Sequence, residues 1–189
     1  MRRSRSVKSN YLGGIILFGF ICALLFSGCG YTTRSMITDK YHNIYVQPFA
    51  NKVDFTKEEY QSNKYKVYRP FLETDITTAV IDKFLSDGNL RPTQEDLADL
   101  VLKGELLEFR RDPLRYDRDQ NVVEYRVNIV VNLTLWDRKE NKVVWKENNF
   151  IGDTTYFTSG PTVTEESNAI NTALADLSRR IVERTIENW

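Results

Sequence analysis

The chain has few of the residues on which metal sites and enzyme active sites are usually built. It contains two cysteines, Cys22 and Cys29, and a single histidine, His42. Two cysteines near the N-terminus exclude a disulfide framework, a zinc cluster and an iron–sulfur cluster. No serine elbow, second histidine, paired carboxylate motif or glycine-rich phosphate loop accompanies His42. We therefore interpret His42 as an exposed or strand-edge residue and expect neither catalysis nor a cofactor.

An excess of positive charge is also missing. The chain has 26 Lys and Arg against 26 Asp and Glu, and residues 1–28 hold four of the basic side chains and no acidic one. The rest is therefore a mildly acidic domain with a net charge of −4, which argues against binding nucleic acid through a global basic field. With 41% hydrophobic and 28% charged residues, it can build one core.

The N-terminus has the regions of a secretory signal in their usual order. A basic stretch, residues 1–10, precedes an apolar run of about 16 residues, Tyr11–Phe26, and the small residues Ser27 and Gly28. Signal peptides have this layout. An uncleaved transmembrane helix is the alternative, but the run is shorter than the roughly 20 residues that span a bilayer.

The segment Leu25-Phe-Ser-Gly-Cys29 resembles the bacterial lipobox, in which the cysteine is acylated and becomes the new N-terminus. Two or more acyl chains hold a protein stably on a membrane, so Cys29 is the predicted lipid attachment site. Gly30 stands where lipoproteins kept at the inner membrane commonly have Asp, which indicates the outer membrane and a domain facing the periplasm. The predicted organisation is a signal peptide over 1–28, an acylated N-terminus and tether over 29–41, and one domain over 42–189.

The rest of the sequence predicts strands in the middle of the domain and one helix on each side of the main strand group. Alternation is strongest at Tyr125–Leu135, where apolar residues occupy every second position. The predicted elements are a strand over Ile44–Phe49, a loop over Asn51–Lys66, a helix from Pro70 to Asp87 ended by Gly88, a strand over Leu100–Phe109 interrupted by Gly104, a turn-rich stretch over Asp112–Asn121, strands over Tyr125–Leu135 and Val143–Phe150, and a helix through Ile181 preceded by a capping box of Thr162 and Glu165.

Two amphipathic helices can cover one apolar face of such a sheet. The sequence therefore predicts the α+β class, a two-layer sandwich in which two helices pack on one face of a four-stranded sheet in the order β-α-β-β-β-α.

Four arginines, Arg110, Arg111, Arg115 and Arg118, fall within nine residues between the second and third predicted strands. Three aspartates share the stretch, so a solvated turn with internal ion pairs is one interpretation. Recognition of phosphate groups is the other, because the planar guanidinium fork suits it. Trp136 and Trp145 flank the next turn and are interpreted either as core packing or as a binding patch.

Taken together, these features resemble the lipopolysaccharide-assembly lipoprotein family, LptE. The resemblance depends on the order and spacing of several segments, and it covers nearly the whole mature chain. These segments are Gly28-Cys29-Gly30-Tyr31, Ile44–Asn51, Pro70–Ala79, Glu124-Tyr125-Arg126 and the final helix from Glu166.

The resemblance implies a non-enzymatic protein that plugs a large outer-membrane β-barrel, LptD, helps it to fold, and contacts lipopolysaccharide. It also implies that Arg118, with Arg115 and either Arg110 or Arg111, contacts lipid A or core phosphates, because the family's hairpin has a basic tip. The alternatives of another class are an auxiliary lipoprotein of an envelope lipid-transport ABC system and an activator of a periplasmic enzyme.

Overall fold

The structure is a computed structural model that describes residues 40–54 and 69–187. The predicted signal peptide, Cys29, residues 30–39 of the predicted tether and most of the predicted Asn51–Lys66 loop lie outside the described residues. In chain order the elements are β1 Asn43–Val46, β2 Ala50–Asn51, α1 Leu72–Asp87, β3 Arg91–Pro92, a short 3-10 helix Glu95–Leu97, β4 Leu100–Tyr116, β5 Val122–Asp137, β6 Lys142–Phe157 and α2 Glu166–Ile186.

The α+β class and the order of the long elements agree with the prediction, but the sheet has six strands rather than four. Its order is β3-β1-β4-β5-β6, with β2 also paired to β4. Strands β1, β2 and β3 run parallel to their partners, whereas β4, β5 and β6 form an antiparallel meander. The prediction lacked β2 and β3 because a two-residue strand is too short to show alternation.

Both helices contribute to one continuous core against the sheet. The alternating residues of β5 from Val127 to Leu135 supply its middle, and α1 adds Leu72, Ile76, Val80 and Phe84. Gly88 ends α1 with φ 79°, and its N–H donates to the Phe84 carbonyl at 3.1 Å, as predicted. Neither helix in this part of the chain is long and apolar enough to cross a bilayer.

Several predicted local features are wrong. Strand β1 ends at Val46 instead of Phe49, and β6 continues to Phe157, past the predicted end at Phe150. Helix α1 begins two residues after Pro70 because Phe71 is left-handed, with φ 62°. Strand β4 runs through Gly104, where a Cβ would lie 2.2 Å from the Phe49 ring, so this glycine provides room for that ring. The capping box does not form. Glu165 is the N-cap residue of α2 and makes no side-chain cap bond.

Gly152 of β6 sets how closely α2 lies on the sheet. A Cβ at this position would come within 2.3 Å of the Leu177 Cβ and 2.7 Å of the Leu177 Cα. Because the obstacle is partly backbone, a larger residue can be accommodated only if the whole helix moves. Forced overpacking of this kind costs about 1–3 kcal/mol.

We therefore expect Gly152→Ala to lower the free energy of unfolding by about 1–3 kcal/mol. Urea unfolding followed by circular dichroism measures this change. Thr155→Ala, at an exposed position of the same strand, is the control and should shift stability by less than about 0.5 kcal/mol. Equal stability of the Gly152→Ala variant and the parent would contradict the close-approach argument.

Candidate functional site at the hairpin tip

The strands β4 and β5 form a hairpin that extends beyond the helical layer. Seventeen residues in β4 correspond to about 55 Å at 3.3 Å per residue, whereas the 21 residues of α2 span about 31 Å. The N-terminal turn of α2 lies level with Arg111, which comes five residues before the end of β4, since Glu166 contacts Arg111. Residues 112–124 therefore project past the helices. We call this segment the hairpin tip.

The turn itself is shorter than the predicted Asp112–Asn121 stretch. Strand pairing continues as far as Tyr116 and Val122, so only residues 117–121 make the reversal. The Asp117 side chain closes it by accepting hydrogen bonds from the backbone N–H groups of Asp119 and Asn121 at 2.9 and 2.8 Å. Hydrogen bonds from the backbone N–H and the side-chain amide of Asn121, and then from the backbone N–H of Asp119, lower the pKa of Asp117. The Asp117 carboxylate therefore binds groups of the turn itself.

Arg110 and Arg111 lie within β4, before the hairpin tip. Arg110 donates to Asp112 and Glu108, both at 2.8 Å. Its pKa is raised by Asp112 first and Glu108 second, against the effect of burial. These bonds hold its guanidinium against the sheet. Arg110 therefore matches the interpretation of internal ion pairs.

Arg111 links the sheet to the start of α2. Its Nη1 lies 2.5 Å from Glu166, and its guanidinium lies 4.7 Å from the centre of the Tyr125 ring. Tyr125 stacks on Tyr156 at 5.7 Å. Burial by itself would lower the pKa of Arg111, but Tyr156 and Glu166 outweigh it and raise the pKa. Arg111 thus joins β4 to α2, and this contact fixes where the helix begins.

Arg115 and Arg118 lie on the hairpin tip itself. The Arg115 side chain is 65% exposed, although Glu124 lies 3.4 Å away and the Phe157 ring 5.7 Å away. Arg118 is an exposed turn residue, and it forms no ion pair with residues 40–54 or 69–187. Of the four arginines, these two are the ones that a ligand can reach without breaking a buried contact.

The hairpin tip also carries exposed apolar side chains that were not singled out from the sequence. Leu114 is 43% exposed and Tyr116 51%. The available signal was two large apolar residues inside a stretch of turn formers.

The two tryptophans of the sequence analysis have different surroundings. Trp145 is buried in the core. Trp136 is half-buried on the opposite face of the sheet, and Lys103 lies over its ring at 5.7 Å.

At the opposite end of the sheet, two aspartates hold the start of the domain. Asp99 accepts hydrogen bonds from the backbone N–H groups of His42 and Asn43 at 3.0 and 3.1 Å, and it pairs with Lys139 at 2.7 Å. Asp137 is fully buried and accepts a 2.5 Å hydrogen bond from Tyr41. The point where residues 40–43 enter the fold is thereby fixed about 50 Å from the hairpin tip.

Asp99 should make stability depend on pH. Burial by itself would raise its pKa, but Lys139 and the two backbone N–H groups lower the pKa to about 2, against 3.8 in the unfolded chain. A depressed pKa stabilises the folded state above the unfolded value, so this contribution is lost as the pH falls from about 4 to about 2. We expect Asp99→Asn to be about 1–3 kcal/mol less stable than the parent at pH 6, with the difference shrinking by pH 2.

Urea unfolding at several pH values measures this effect. Asp96→Asn, at an exposed position of the preceding 3-10 helix, is the matched control and should follow the parent. A stability difference between Asp99→Asn and the parent that stays constant from pH 6 to pH 2 would contradict the assignment.

One protein-family model matches most of the chain. It is the model of the family LptE, which is described as lipopolysaccharide-assembly, and the match runs over residues 41–185. The chain belongs to the LptE family. LptE proteins form a non-enzymatic family of lipopolysaccharide-assembly lipoproteins. His42 is exposed at the end of the sheet opposite the hairpin tip.

Comparison with solved structures gives matches at low identity. A DUF330 protein from Xanthomonas campestris is 15% identical, with a TM-score of 0.53 over 77% of this chain and 84% of its own. A minor lipoprotein from Acinetobacter baumannii is 18% identical, with a TM-score of 0.49 over 78% and 91%. Rare lipoprotein B from Shewanella oneidensis is 14% identical, with a TM-score of 0.41 over 76% and 89%. The first supports the LptE-like fold, and no curated protein matches the chain significantly.

Proposed function

We propose that the protein is an outer-membrane lipoprotein that faces the periplasm, helps to assemble and plug an LptD-type β-barrel, and assists the delivery of lipopolysaccharide to the outer leaflet. The observation that carries the proposal is the LptE family match, which runs from residue 41 to residue 185. It favours this function over the transport-auxiliary and enzyme-activator alternatives. The domain acts by forming a one-to-one complex, without turnover.

In this proposed function the chain consists of a signal peptide over 1–28, an acylated N-terminus and tether over 29–41, and the domain over 42–189. Acyl chains on Cys29 hold the protein on the membrane. The clamp of Asp99 and Asp137 on residues 41–43 supports this division, because it ties the first residues of the domain firmly to the sheet. A tether attached there joins the fold at the end of the sheet opposite the hairpin tip.

The hairpin tip is the proposed contact for the glycolipid. Arg118 and Arg115 are exposed on a rigid β-structure, and each can form charge-assisted hydrogen bonds with a phosphate. Arg110 and Arg111 support the hairpin through their internal contacts with Asp112 and Glu166. Arg115 and Arg118 are therefore the two primary phosphate contacts of the proposal, and Arg110 and Arg111 have a supporting role.

Cys29→Ala should abolish lipid attachment and leave an unprocessed precursor, because acylation of the cysteine is required before the signal peptide is removed. Immunoblotting of membrane fractions and mass spectrometry of the N-terminus measure both effects. Cys22→Ala is the matched control, since Cys22 lies inside the apolar run and should process normally. An unmodified mature N-terminus on the parent protein, or retention of residues 1–28, would contradict the proposal.

Co-purification tests the proposed partner directly. An affinity-tagged chain should isolate an intact outer-membrane β-barrel in a one-to-one ratio when envelopes are solubilised in mild detergent. Isolation of an inner-membrane ABC transporter in its place would favour the auxiliary-lipoprotein alternative.

A further inference from the structure

Three exposed apolar side chains gather at the end of the sheet that carries Arg115 and Arg118. Leu114 and Tyr116 flank Arg115 in the sequence, and Val163, in the segment that follows β6, is 56% exposed. Exposed large apolar side chains that cluster next to charged groups commonly mark an interaction site.

Strand pairing places these residues in one neighbourhood. Val163 forms a parallel bridge with Phe157, Phe157 is the register partner of Glu124, and Glu124 is the partner of Arg115. Neighbouring strands lie about 4.8 Å apart, so Val163 is about 14 Å from Arg115 across the sheet. The apolar side chains therefore border the arginines along one end of the molecule.

Packing of the hydrophobic core does not account for these exposed apolar side chains. The hydrophobic core draws on the side chains of β4 as far as Phe109, and the helical layer starts level with Arg111, so Leu114 and Tyr116 lie beyond both. Their local strand pairing depends on backbone hydrogen bonds. At Leu114 a polar side chain would serve that pairing equally well, so packing against the core does not explain the apolar character of this residue, whereas a ligand does.

We propose that Leu114, Tyr116 and Val163 bind the acyl chains of the same amphipathic glycolipid whose phosphates contact Arg115 and Arg118. The inference rests on the proposed function and adds to it the acylated part of the ligand. Charged and apolar groups side by side match a molecule whose phosphates and hydrocarbon chains meet at one junction. A soluble phosphate, or a phosphorylated sugar without acyl chains, would use only the arginines.

The test compares two probes, intact lipopolysaccharide and the same material after its acyl chains have been removed by alkaline hydrolysis. The variant Leu114→Ser/Val163→Ser, made in the full chain and immobilised, should bind intact lipopolysaccharide at least tenfold more weakly than the parent. It should bind the deacylated probe as the parent does. The matched control is Leu85→Ser/Leu97→Ser, which changes two side chains that are 60% and 64% exposed elsewhere on the fold and should leave both interactions unchanged.

A photo-crosslinking residue provides a second measurement that does not depend on the serine variant folding. Placed at position 114 in growing cells, it should crosslink to lipopolysaccharide, and placed at position 85 it should not. Equal binding of intact lipopolysaccharide by variant and parent, or absence of the crosslink at 114, would overturn the inference. A selective loss of binding to phosphatidylethanolamine vesicles would overturn it in favour of a membrane surface as the ligand.

Failure of the proposed function gives a different result. In that case the parent protein would bind neither the intact nor the deacylated probe. Binding of both probes by the parent, with no difference between them in the apolar variant, would leave the proposed function standing and reject only the acyl-chain contact.

Discussion

Replacing Arg115 and Arg118 together by Asp is expected to weaken lipopolysaccharide binding at least tenfold. Each hydrogen bond between a guanidinium and a charged group contributes about 1.5–3 kcal/mol, and a tenfold change corresponds to about 1.4 kcal/mol. The replacement also places two carboxylates where phosphates are expected. Binding of labelled lipopolysaccharide to the immobilised full chain measures the effect.

The fold should survive this change. Both positions are exposed, and the reversal depends on Asp117, which is retained. Stability should therefore shift by less than about 0.5 kcal/mol per substitution. Arg111→Asp is expected to behave differently, because it would place a carboxylate against Glu166 and lose the contact with Tyr125. That variant should lower stability.

The control for net charge is Arg91→Asp/Lys146→Asp, which makes the same change at two exposed positions outside the hairpin tip. It should bind lipopolysaccharide as the parent does. A folded Arg115→Asp/Arg118→Asp variant with parental affinity would assign both arginines to a solvated turn. Equal loss in the control would indicate a general effect of charge.

Depletion of the protein from cells should have the largest effect of all. We expect the amount of correctly assembled barrel to fall and the outer membrane to become permeable to large antibiotics, because the proposed function makes this protein the plug that the barrel needs to fold and to deliver lipopolysaccharide. Blotting of the folded barrel under non-reducing, unheated conditions and antibiotic sensitivity measure the two consequences.

Complementation makes the depletion result specific. The parental chain should restore both phenotypes. Arg115→Asp/Arg118→Asp should restore barrel assembly better than it restores the permeability barrier, because the altered residues are the proposed glycolipid contacts. Normal barrel levels and an intact barrier after depletion would argue for the transport-auxiliary alternative.

Local patterns in the sequence were sufficient to predict the class of fold and the order of its long elements. The alternation from Tyr125 to Leu135 lies inside β5, and Gly88 ends α1 as expected. Such features depend on the conformational preferences and polarity of residues that are close in sequence. The family resemblance also came from the sequence, through the spacing of several short segments, and the match over residues 41–185 confirms it.

Other features depend on residues that meet only in the folded chain. Gly104 looked like a strand interruption because the ring that needs its space belongs to Phe49, 55 residues earlier in the chain. The Asp112–Asn121 stretch looked like one long turn because turn formers are recognised one residue at a time. Pairing with β5 extends β4 to Tyr116.

The four arginines show most clearly what the sequence determines and what the fold determines. The sequence predicts a basic segment in a hairpin, but it does not distinguish four residues that have the same charge and the same side chain. Their folded neighbours distinguish them. Arg110 pairs with Glu108 and Asp112 on the same strand, and Arg111 pairs with Glu166 of α2, while Arg115 and Arg118 extend beyond the helices. The sequence by itself determined that a cationic hairpin exists. The tertiary structure decided which of its charges are available, because availability depends on which nearby side chains the extended strand brings together, as for Arg110, and on partners from distant parts of the chain, as for Arg111 and Glu166.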